Sequence, residues 1–175
     1  MAEMIRPSRW VEYYIEQIPR SGQVLDLACG GGRHTRLLAD RNYPVFAVDR
    51  NNEAISGLAN LPGVEAACLD LEDAEWPLAG RQFAGIVVTN YLWRPRLDDT
   101  LALLAPGGVL IYETFMIGNE AFGRPSNPEF LLQPGELRQR IAALGWQEVA
   151  FFEGYASDPK PCCRQAIVAR RPLSA

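Results

Sequence analysis

The sequence predicts a doubly wound α/β fold, in which a mostly parallel sheet of seven strands carries helices on both faces. Three observations predict it. Strand-like and helix-like segments alternate almost throughout the 175 residues. The strand-like segments are continuous apolar runs, such as Ile86-Val87-Val88, which is typical of strands buried on both faces. The last two strand-like segments have no helix between them, so they are expected to form an antiparallel C-terminal hairpin.

Short apolar runs bounded by turn residues define the predicted strands, and apolar residues at helical spacing define the predicted helices. In the first helix Trp10, Tyr13, Tyr14 and Ile18 recur at that spacing, and Pro19 ends it. The predicted strands span residues 23–28, 44–48, 64–69, 83–89, 109–115, 146–152 and 164–169. The predicted helices span residues 9–18, 33–40, 52–60, 97–104 and 135–144, with Asn51 or Asn52 as the cap of the third. Residues 72–81 are expected to be a shortened crossover and residues 117–134 a polar loop.

Composition limits the classes of function. The chain has 17 basic and 21 acidic residues, a net charge of −4, which disfavours a nucleic-acid partner because such partners usually require a basic face. No stretch of 18 apolar residues occurs, so we expect no membrane span and a cytoplasmic protein. The four cysteines form no CxxC pair, so we expect neither a metal site nor a disulfide framework. We expect a single domain over residues 1–175, acting as a monomer or homodimer.

The most informative segment covers residues 24–35 and reads VLDLACGGGRHT, which is a strand, a glycine-rich turn and the start of a helix. Glycines let the chain turn tightly and let a ligand approach the main chain closely. Mononucleotide, dinucleotide and S-adenosylmethionine sites all use such a turn. The mononucleotide P-loop is excluded because no Gly-Lys-Ser/Thr sequence occurs. The dinucleotide fingerprint is disfavoured because Thr35 stands where its third glycine would be.

Carboxylates follow the second and third predicted strands. Asp49 ends the second strand, 19 positions after Gly30, where an acidic residue accepts hydrogen bonds from ribose hydroxyls. Asp70 ends the third strand, where a carboxylate can accept from the adenine amine while the amide of Leu71 meets the neighbouring ring nitrogen. Either aspartate alone could be a solvated turn residue or a helix cap. Together with the glycine turn, they form a row suited to an adenosine.

These residues resemble the motifs of class I S-adenosylmethionine-dependent methyltransferases, and in particular those of the small tellurite-resistance-type methyltransferases. The chain departs from the family by having Ala28 at the first motif glycine and Phe83-Ala84-Gly85 where an aspartate is usual. The matching positions are Asp26, Ala28, Gly30 and Gly32, then Asp49, Asp70, Thr89-Asn90-Tyr91 and Pro106-Gly107-Gly108.

The resemblance implies a Rossmann-like methyltransferase fold and S-adenosyl-L-methionine as the cofactor, with S-adenosyl-L-homocysteine as the product and no metal. It implies cofactor contacts from the glycine turn and from the ends of the following strands. The expected cofactor-binding residues are Asp26, Ala28, Cys29, Gly30, Gly32, Asp49, Arg50, Asp70, Leu71 and Asn90.

Methyl transfer from a sulfonium is an in-line displacement, so the main requirement is that the acceptor is held on axis. The candidates for catalysis are Asn90, Tyr91, Glu113 and Thr114, because they follow the fourth strand or end the fifth. Glu113 is the best candidate base, and an ion-paired strand-end residue is the alternative. Residues 116–133 are predicted to be either a substrate loop or a surface connection, with Asn119, Arg124, Asn127 and Phe130 as its candidate contacts. His34 is expected to be neutral and structural, because a cation is poorly placed at a helix N-terminus.

Three functions stay open on the sequence. A small-molecule methyltransferase is favoured. A nucleic-acid methyltransferase, acting on RNA, is disfavoured by the acidic charge and by Asn90-Tyr91-Leu92-Trp93, which lacks the Asn-Pro-Pro-aromatic run that positions a flipped base. The third is a protein that binds the cofactor without catalysis.

Overall fold

The computed structural model describes residues 5–174 and contains one sheet of seven strands in the order β3-β2-β1-β4-β5-β7-β6. Strands β1 to β5 are mutually parallel, and β7 is antiparallel to both of its neighbours. The predicted fold and the antiparallel C-terminal hairpin are therefore confirmed. The strands are β1 Val24–Leu27, β2 Val45–Asp49, β3 Val64–Cys68, β4 Phe83–Thr89, β5 Leu104–Phe115, β6 Gln147–Ala156 and β7 Cys162–Arg170.

Five α-helices cover the two faces of the sheet in the described chain. Two of them begin with a side chain that accepts backbone N–H groups, namely Ser8 before the first helix and Asn51 before the third. The helices are α1 Arg9–Tyr14, α2 Arg33–Asp40, α3 Asn52–Ser56, α4 Leu97–Ala102 and α5 Glu136–Ala143. None of the helices in residues 5–174 is long and apolar enough to cross a membrane.

The largest difference from the predicted boundaries lies at β5. This strand begins at Leu104, which pairs with Phe83, and not at Val109. The Pro-Gly-Gly turn is a bulge within the strand, since the register shifts between Phe83 and Gly85 and Gly107 has a φ of 77°. The preceding helix consequently ends at Ala102 instead of residue 104. The third helix is also shorter than predicted: it ends at Ser56 and not at residue 60.

Side chains alternate between the two faces of the sheet, and this alternation decides which residues can meet at its edge. One face packs against α4 and α5 and includes Leu110, Tyr112 and Ile167. The other face packs against α1, α2 and α3 and includes Ile111 and Val168. All five parallel strands end at the same edge, where ligands of doubly wound sheets bind.

Gly32, at the start of α2, is a position where a side chain is expected to be costly. Its φ is 78°, and a Cβ atom there would lie 2.4 Å from Cδ2 of the buried Leu58. We expect Gly32→Ala to lower the free energy of unfolding by about 2 kcal/mol, measured by urea denaturation. Gly31→Ala is the matched control, because a Cβ atom at Gly31 meets nothing within 4 Å. Equal losses of stability in the two variants would contradict this account.

Candidate functional site

A cavity of about 420 Å³ opens at the carboxyl ends of the parallel strands. Its walls come from the turns after β1, β2, β3 and β4, from the end of β5, and from the loop that follows β5. Nine of the residues predicted from the sequence contribute to it: Ala28, Asp49, Arg50, Asp70, Leu71, Asn90, Tyr91, Thr114 and Phe130. The residues that the sequence interpretation missed are Leu69, Glu72, Leu92, Phe115 and Pro125.

The turns after β1 and β4 hold two residues in the left-handed backbone region. Ala28 has a φ of 54° and Asn90 a φ of 55°, which is uncommon for residues other than glycine. Both residues line the cavity. Gly30 has a φ of 53°, and a Cβ atom built on it would meet nothing within 4 Å, so its main chain borders open space. Strained backbone of this kind is often found at ligand sites, where it brings main-chain groups close to the ligand.

Asp49 joins the glycine turn to the start of α3. Its Oδ2 accepts the N–H of Gly30 at 2.8 Å, and its Oδ1 accepts the N–H of Asn51 at 2.9 Å. Each carboxylate oxygen can accept a second hydrogen bond. Asp49 therefore holds the turn in place and still has acceptor capacity toward the cavity.

The turn after β3 supplies the neighbouring wall. Asp70 is exposed, and its Oδ1 accepts the N–H of Glu72 at 2.9 Å. Leu71 is 5% exposed and contributes an apolar surface beside it. This side of the cavity thus combines a carboxylate acceptor with an apolar surface. Such a combination would fit a heterocyclic ring that carries an exocyclic amine.

Asp26 and Cys29, like Gly30 and Gly32, were predicted as cofactor ligands but do not line this cavity. Asp26 is 2% exposed and accepts the hydroxyl of Thr35 at 2.6 Å, beneath the glycine turn. Burial raises the pKa of Asp26 to about 7. Cys29 is buried among the apolar residues on the α1, α2 and α3 face, and its N–H donates to Val48. In the structure Asp26 and Cys29 therefore stabilise the glycine turn and do not face the cavity.

Tyr91 lines the cavity, and its buried hydroxyl has no hydrogen-bond partner in the described chain. Its backbone oxygen accepts the hydroxyl of Tyr112 at 2.7 Å, which fixes the residue. Burial and the negative charges of Glu72 and Asp70 raise the pKa of Tyr91, so the phenol stays protonated near neutral pH. A buried donor without a partner is unusual and marks a place where a ligand or water is bound.

His34 lies on α2, close to the end of β4. It is 2% exposed, its Nε2 accepts the N–H of Ser8 at 2.9 Å, and its Nδ1 lies 3.4 Å from the hydroxyl of Thr89. Burial lowers the pKa of His34 to about 3, so the ring is neutral, as the sequence predicted. The ring ties the segment before α1 to the end of β4.

Glu113 lies at the same edge but on the α1, α2 and α3 face of the sheet, next to the cavity-lining Thr114. It is 2% exposed, and its Oε2 accepts from Nη1 of Arg164 at 3.0 Å. Its Oε1 is buried without a partner among the described residues. The ion pair matches the alternative role that was considered for this residue.

The loop over residues 116–133 contains structural and cavity-facing residues. Asn119 is 2% exposed and bonds to Pro125 and to Cys163, so it holds the loop together. Asn127 caps a short 3₁₀ turn over Pro128–Phe130. Phe130 and Pro125 line the cavity, while Arg124 is exposed on the loop.

Hydrogen bonds from Arg94 connect this loop to α5. Its guanidinium binds both carboxylate oxygens of Glu136 at 2.9 and 2.8 Å and the carbonyls of Glu129 and Leu131 at 2.6 Å each. Its partners lie 35–42 positions along the chain, so no local sequence pattern could have indicated this role.

We expect Arg94→Gln to increase amide hydrogen exchange of residues 129–132 by about tenfold, because it removes charge-assisted bonds that close the segment. Mass spectrometry of exchanged peptides measures this change. The control is Arg138→Gln, which breaks an exposed ion pair with Glu148. Unchanged exchange at residues 129–132 in Arg94→Gln would show that the loop is held by other contacts.

No group of three or more histidine, cysteine, aspartate or glutamate side chains arranged to hold a metal ion is found in residues 5–174. The polar residues that line the cavity are Asp49, Arg50, Asp70, Glu72, Asn90, Tyr91 and Thr114.

The central part of the chain matches a known protein family. Residues 24–108 match the model of the family described as methyltransferase domain. In sequence, an uncharacterised RNA methyltransferase of Nitrosomonas europaea is 35% identical over 87 residues, which cover 46% of this chain and 22% of that protein. The chain spans less than half the length of the curated relatives it matches.

Solved structures share the fold. TehB from Haemophilus influenzae superposes with a TM-score of 0.72 at 22% identity, covering 93% of this chain and 61% of that one. A SAM-dependent methyltransferase from Archaeoglobus fulgidus superposes with a TM-score of 0.70 at 16% identity, covering 92% of this chain and 91% of that one. At these identities the similarity establishes the Rossmann-like methyltransferase fold.

Proposed function

We propose that the chain binds S-adenosylmethionine in the 420 Å³ cavity and transfers its methyl group to a small molecule, because residues 24–108 match the model of the family described as methyltransferase domain. The observation that carries the proposal is the row of Gly30, Asp49 and Asp70 after three adjacent strands. A row of this kind meets the successive parts of an adenosine.

The residues present fit that cofactor. Asp49 keeps acceptor capacity for the ribose hydroxyls after bonding Gly30 and Asn51. Asp70 and the backbone of Leu71 suit the adenine. The open space beside Gly30 leaves room for the methionyl part, which we place over the ends of β1 and β4.

S-adenosylmethionine supplies a methyl group that is already activated by the sulfonium, so the chain's own task is to position the acceptor. Tyr91, with its protonated and unpartnered hydroxyl, is proposed to donate a hydrogen bond to the ligand. Asn90 is proposed to hold the methionyl end or the acceptor from the turn after β4. Pro125 and Phe130 exclude water from one side.

Glu113 is the proposed proton acceptor for substrates that must lose a proton. Its free Oε1 is the oxygen available for this role, since Oε2 is bound to Arg164. A substrate that arrives as an anion would not need it.

A labelled-methyl transfer screen tests the function. Purified protein and methyl-labelled cofactor are incubated with thiols, chalcogen oxyanions, amines and carboxylic acids, and label in the small-molecule fraction is counted. Transfer to one class that stops in Tyr91→Phe or Asp49→Ala supports the proposal, with Asp40→Ala, an exposed carboxylate on α2, as the control. Cofactor binding without transfer to any small molecule would contradict it.

RNA is the second candidate acceptor, because a relative in Nitrosomonas europaea carries the name RNA methyltransferase. Methyl transfer to RNA that weakens steeply with added salt would favour this acceptor over a small molecule. The net charge of −4 supports the small molecule.

A further inference from the structure

A buried glutamate and two partly buried arginines lie at the carboxyl edge of the sheet, on the face covered by α1 and α2. Glu113 lies near the end of β5, Arg164 near the start of β7, and Arg33 is the first residue of α2. We call these three residues the arginine cluster. Arg164 is held in place at both ends of its guanidinium, by Glu113 at 3.0 Å and by Sγ of Cys162 at 3.3 Å, and its side chain is 13% exposed.

The cluster has one more positive charge than negative charge. Burial lowers the pKa of Arg33, and the charge of Glu113 opposes that effect. Among residues 5–174, the Arg33 guanidinium donates to the backbone oxygen of Arg6, at 3.2 Å. A partly buried positive charge without a carboxylate partner is costly and favours binding of an anion.

A second observation indicates a ligand at this place. Oε1 of Glu113 is buried and accepts no hydrogen bond in the described chain. Native proteins seldom leave such an atom unpaired, so it marks a site that a ligand or an ordered water completes.

The strand order indicates whether the cofactor or the methyl acceptor lies beside the arginine cluster. Asp49, the proposed ribose contact, ends β2, and the order continues through β1, β4, β5 and β7. Neighbouring strands are about 4.8 Å apart, so Glu113 on β5 lies three strand widths, about 14 Å, from β2. The sulfonium is bonded to the carbon next to the ribose ring, which places the reacting methyl group over β1 or β4. The next strands, β5 and β7, then face the acceptor.

On the basis of the proposed function, we propose that the arginine cluster binds an anionic group of the methyl acceptor, a carboxylate or another small oxyanion. The guanidinium of Arg164, fixed by Glu113 and Cys162, and that of Arg33 present N–H groups suited to paired oxygens. Oε1 of Glu113 accepts an N–H or O–H group that the acceptor carries beside its anion. Arg33 and Arg164 position the acceptor, and Glu113 also takes its proton where the acceptor must lose one. None of the three residues takes part in breaking the sulfonium bond.

Calorimetric titration with sulfate at constant ionic strength tests the cluster, with and without saturating S-adenosylhomocysteine. We expect one sulfate per wild-type chain and about tenfold weaker binding in Arg33→Gln and in the double variant Glu113→Gln/Arg164→Gln. The double variant replaces the ion pair by two neutral side chains, so that no buried charge is left unpaired and the fold is protected. The matched control is Arg138→Gln/Glu148→Gln, which removes an exposed ion pair and is expected to leave sulfate affinity unchanged.

The same titrations distinguish an anionic group of the methyl acceptor from the carboxylate of the cofactor. Affinity for S-adenosylhomocysteine that stays within about twofold in every variant supports an acceptor site, whereas a tenfold loss would mean that the cofactor's own carboxylate occupies the cluster and would overturn the proposal. Sulfate affinity that is the same in wild type and Arg33→Gln would also overturn it. Failure of S-adenosylhomocysteine to bind the wild-type chain would instead refute the proposed function, on which the acceptor assignment rests.

A second arm uses the transfer assay with pairs of acceptors that differ only in charge, each carboxylic acid beside its primary amide. We expect the acid to be methylated about ten times faster than the amide, and Arg33→Gln to abolish the preference. Equal rates for acid and amide in the wild-type enzyme would contradict the proposal.

Discussion

Replacing Asp49 by alanine is expected to weaken S-adenosylhomocysteine binding by about 100-fold, because two charge-assisted hydrogen bonds to the ribose are lost, each contributing about 1.5 kcal/mol. The same substitution removes the acceptor that holds the N–H of Gly30, so the glycine turn also becomes less ordered. Isothermal titration of the variant with S-adenosylhomocysteine measures the change.

Asp40→Ala is the matched control for this experiment. Asp40 is also an aspartate, so the change in net charge is the same, but it is exposed at the end of α2 and does not line the cavity. Equal affinities of Asp49→Ala and Asp40→Ala would show that the carboxylate after β2 does not bind the ribose.

Replacing Asp26 by asparagine is expected to raise the stability of the protein at pH 8. The pKa of Asp26 is raised from 3.8 to about 7 by burial, so between these values the folded state binds a proton more readily than the unfolded state. The resulting stability is complete below pH 4 and is lost as the pH rises to 7, which amounts to about 4 kcal/mol at 1.36 kcal/mol per pKa unit. Asparagine keeps an oxygen for the hydroxyl of Thr35 and carries no charge.

Urea denaturation at pH 5 and pH 8 tests this prediction. We expect the difference in unfolding free energy between Asp26→Asn and wild type to grow by about 3 kcal/mol from pH 5 to pH 8. His34 has the opposite effect, since its pKa of about 3 costs stability as the pH falls below 6.5, but it is present in both proteins and cancels in the difference. A difference that is independent of pH, as expected for Asp40→Asn, would contradict the account of Asp26.

Local sequence patterns were sufficient to predict the central helices and strands of the fold. The bounds of α2 and β4 agree with the prediction, because a glycine turn and runs of apolar residues with clear ends define them. The positions of Asp49 and Asp70 at the cavity followed from the rule that parallel strands end at one edge. The bounds of these elements and the positions of the two aspartates depend only on the order of residues along the chain, which is the sequence itself.

The parts that were not predicted depend on which face a side chain takes and on distant partners. Glu113 and Thr114 are neighbours at the end of β5 and both were candidates, and only the register of β5 against β4, which includes the bulge, decides that Thr114 and not Glu113 lines the cavity. Arg94 meets carbonyls 35 and 37 positions away, and Arg164 meets Glu113 across 51 positions. Such pairs are set by tertiary packing, so no spacing rule indicates them.

The central claim is that the cavity binds the methyl donor, and titration of the wild-type chain with S-adenosylhomocysteine, beside parallel titrations with ATP and NAD, tests it most directly. We predict saturable binding of one S-adenosylhomocysteine per chain and no saturable binding of ATP or NAD. No saturable binding of S-adenosylhomocysteine, or equal binding of ATP or NAD, would contradict the claim.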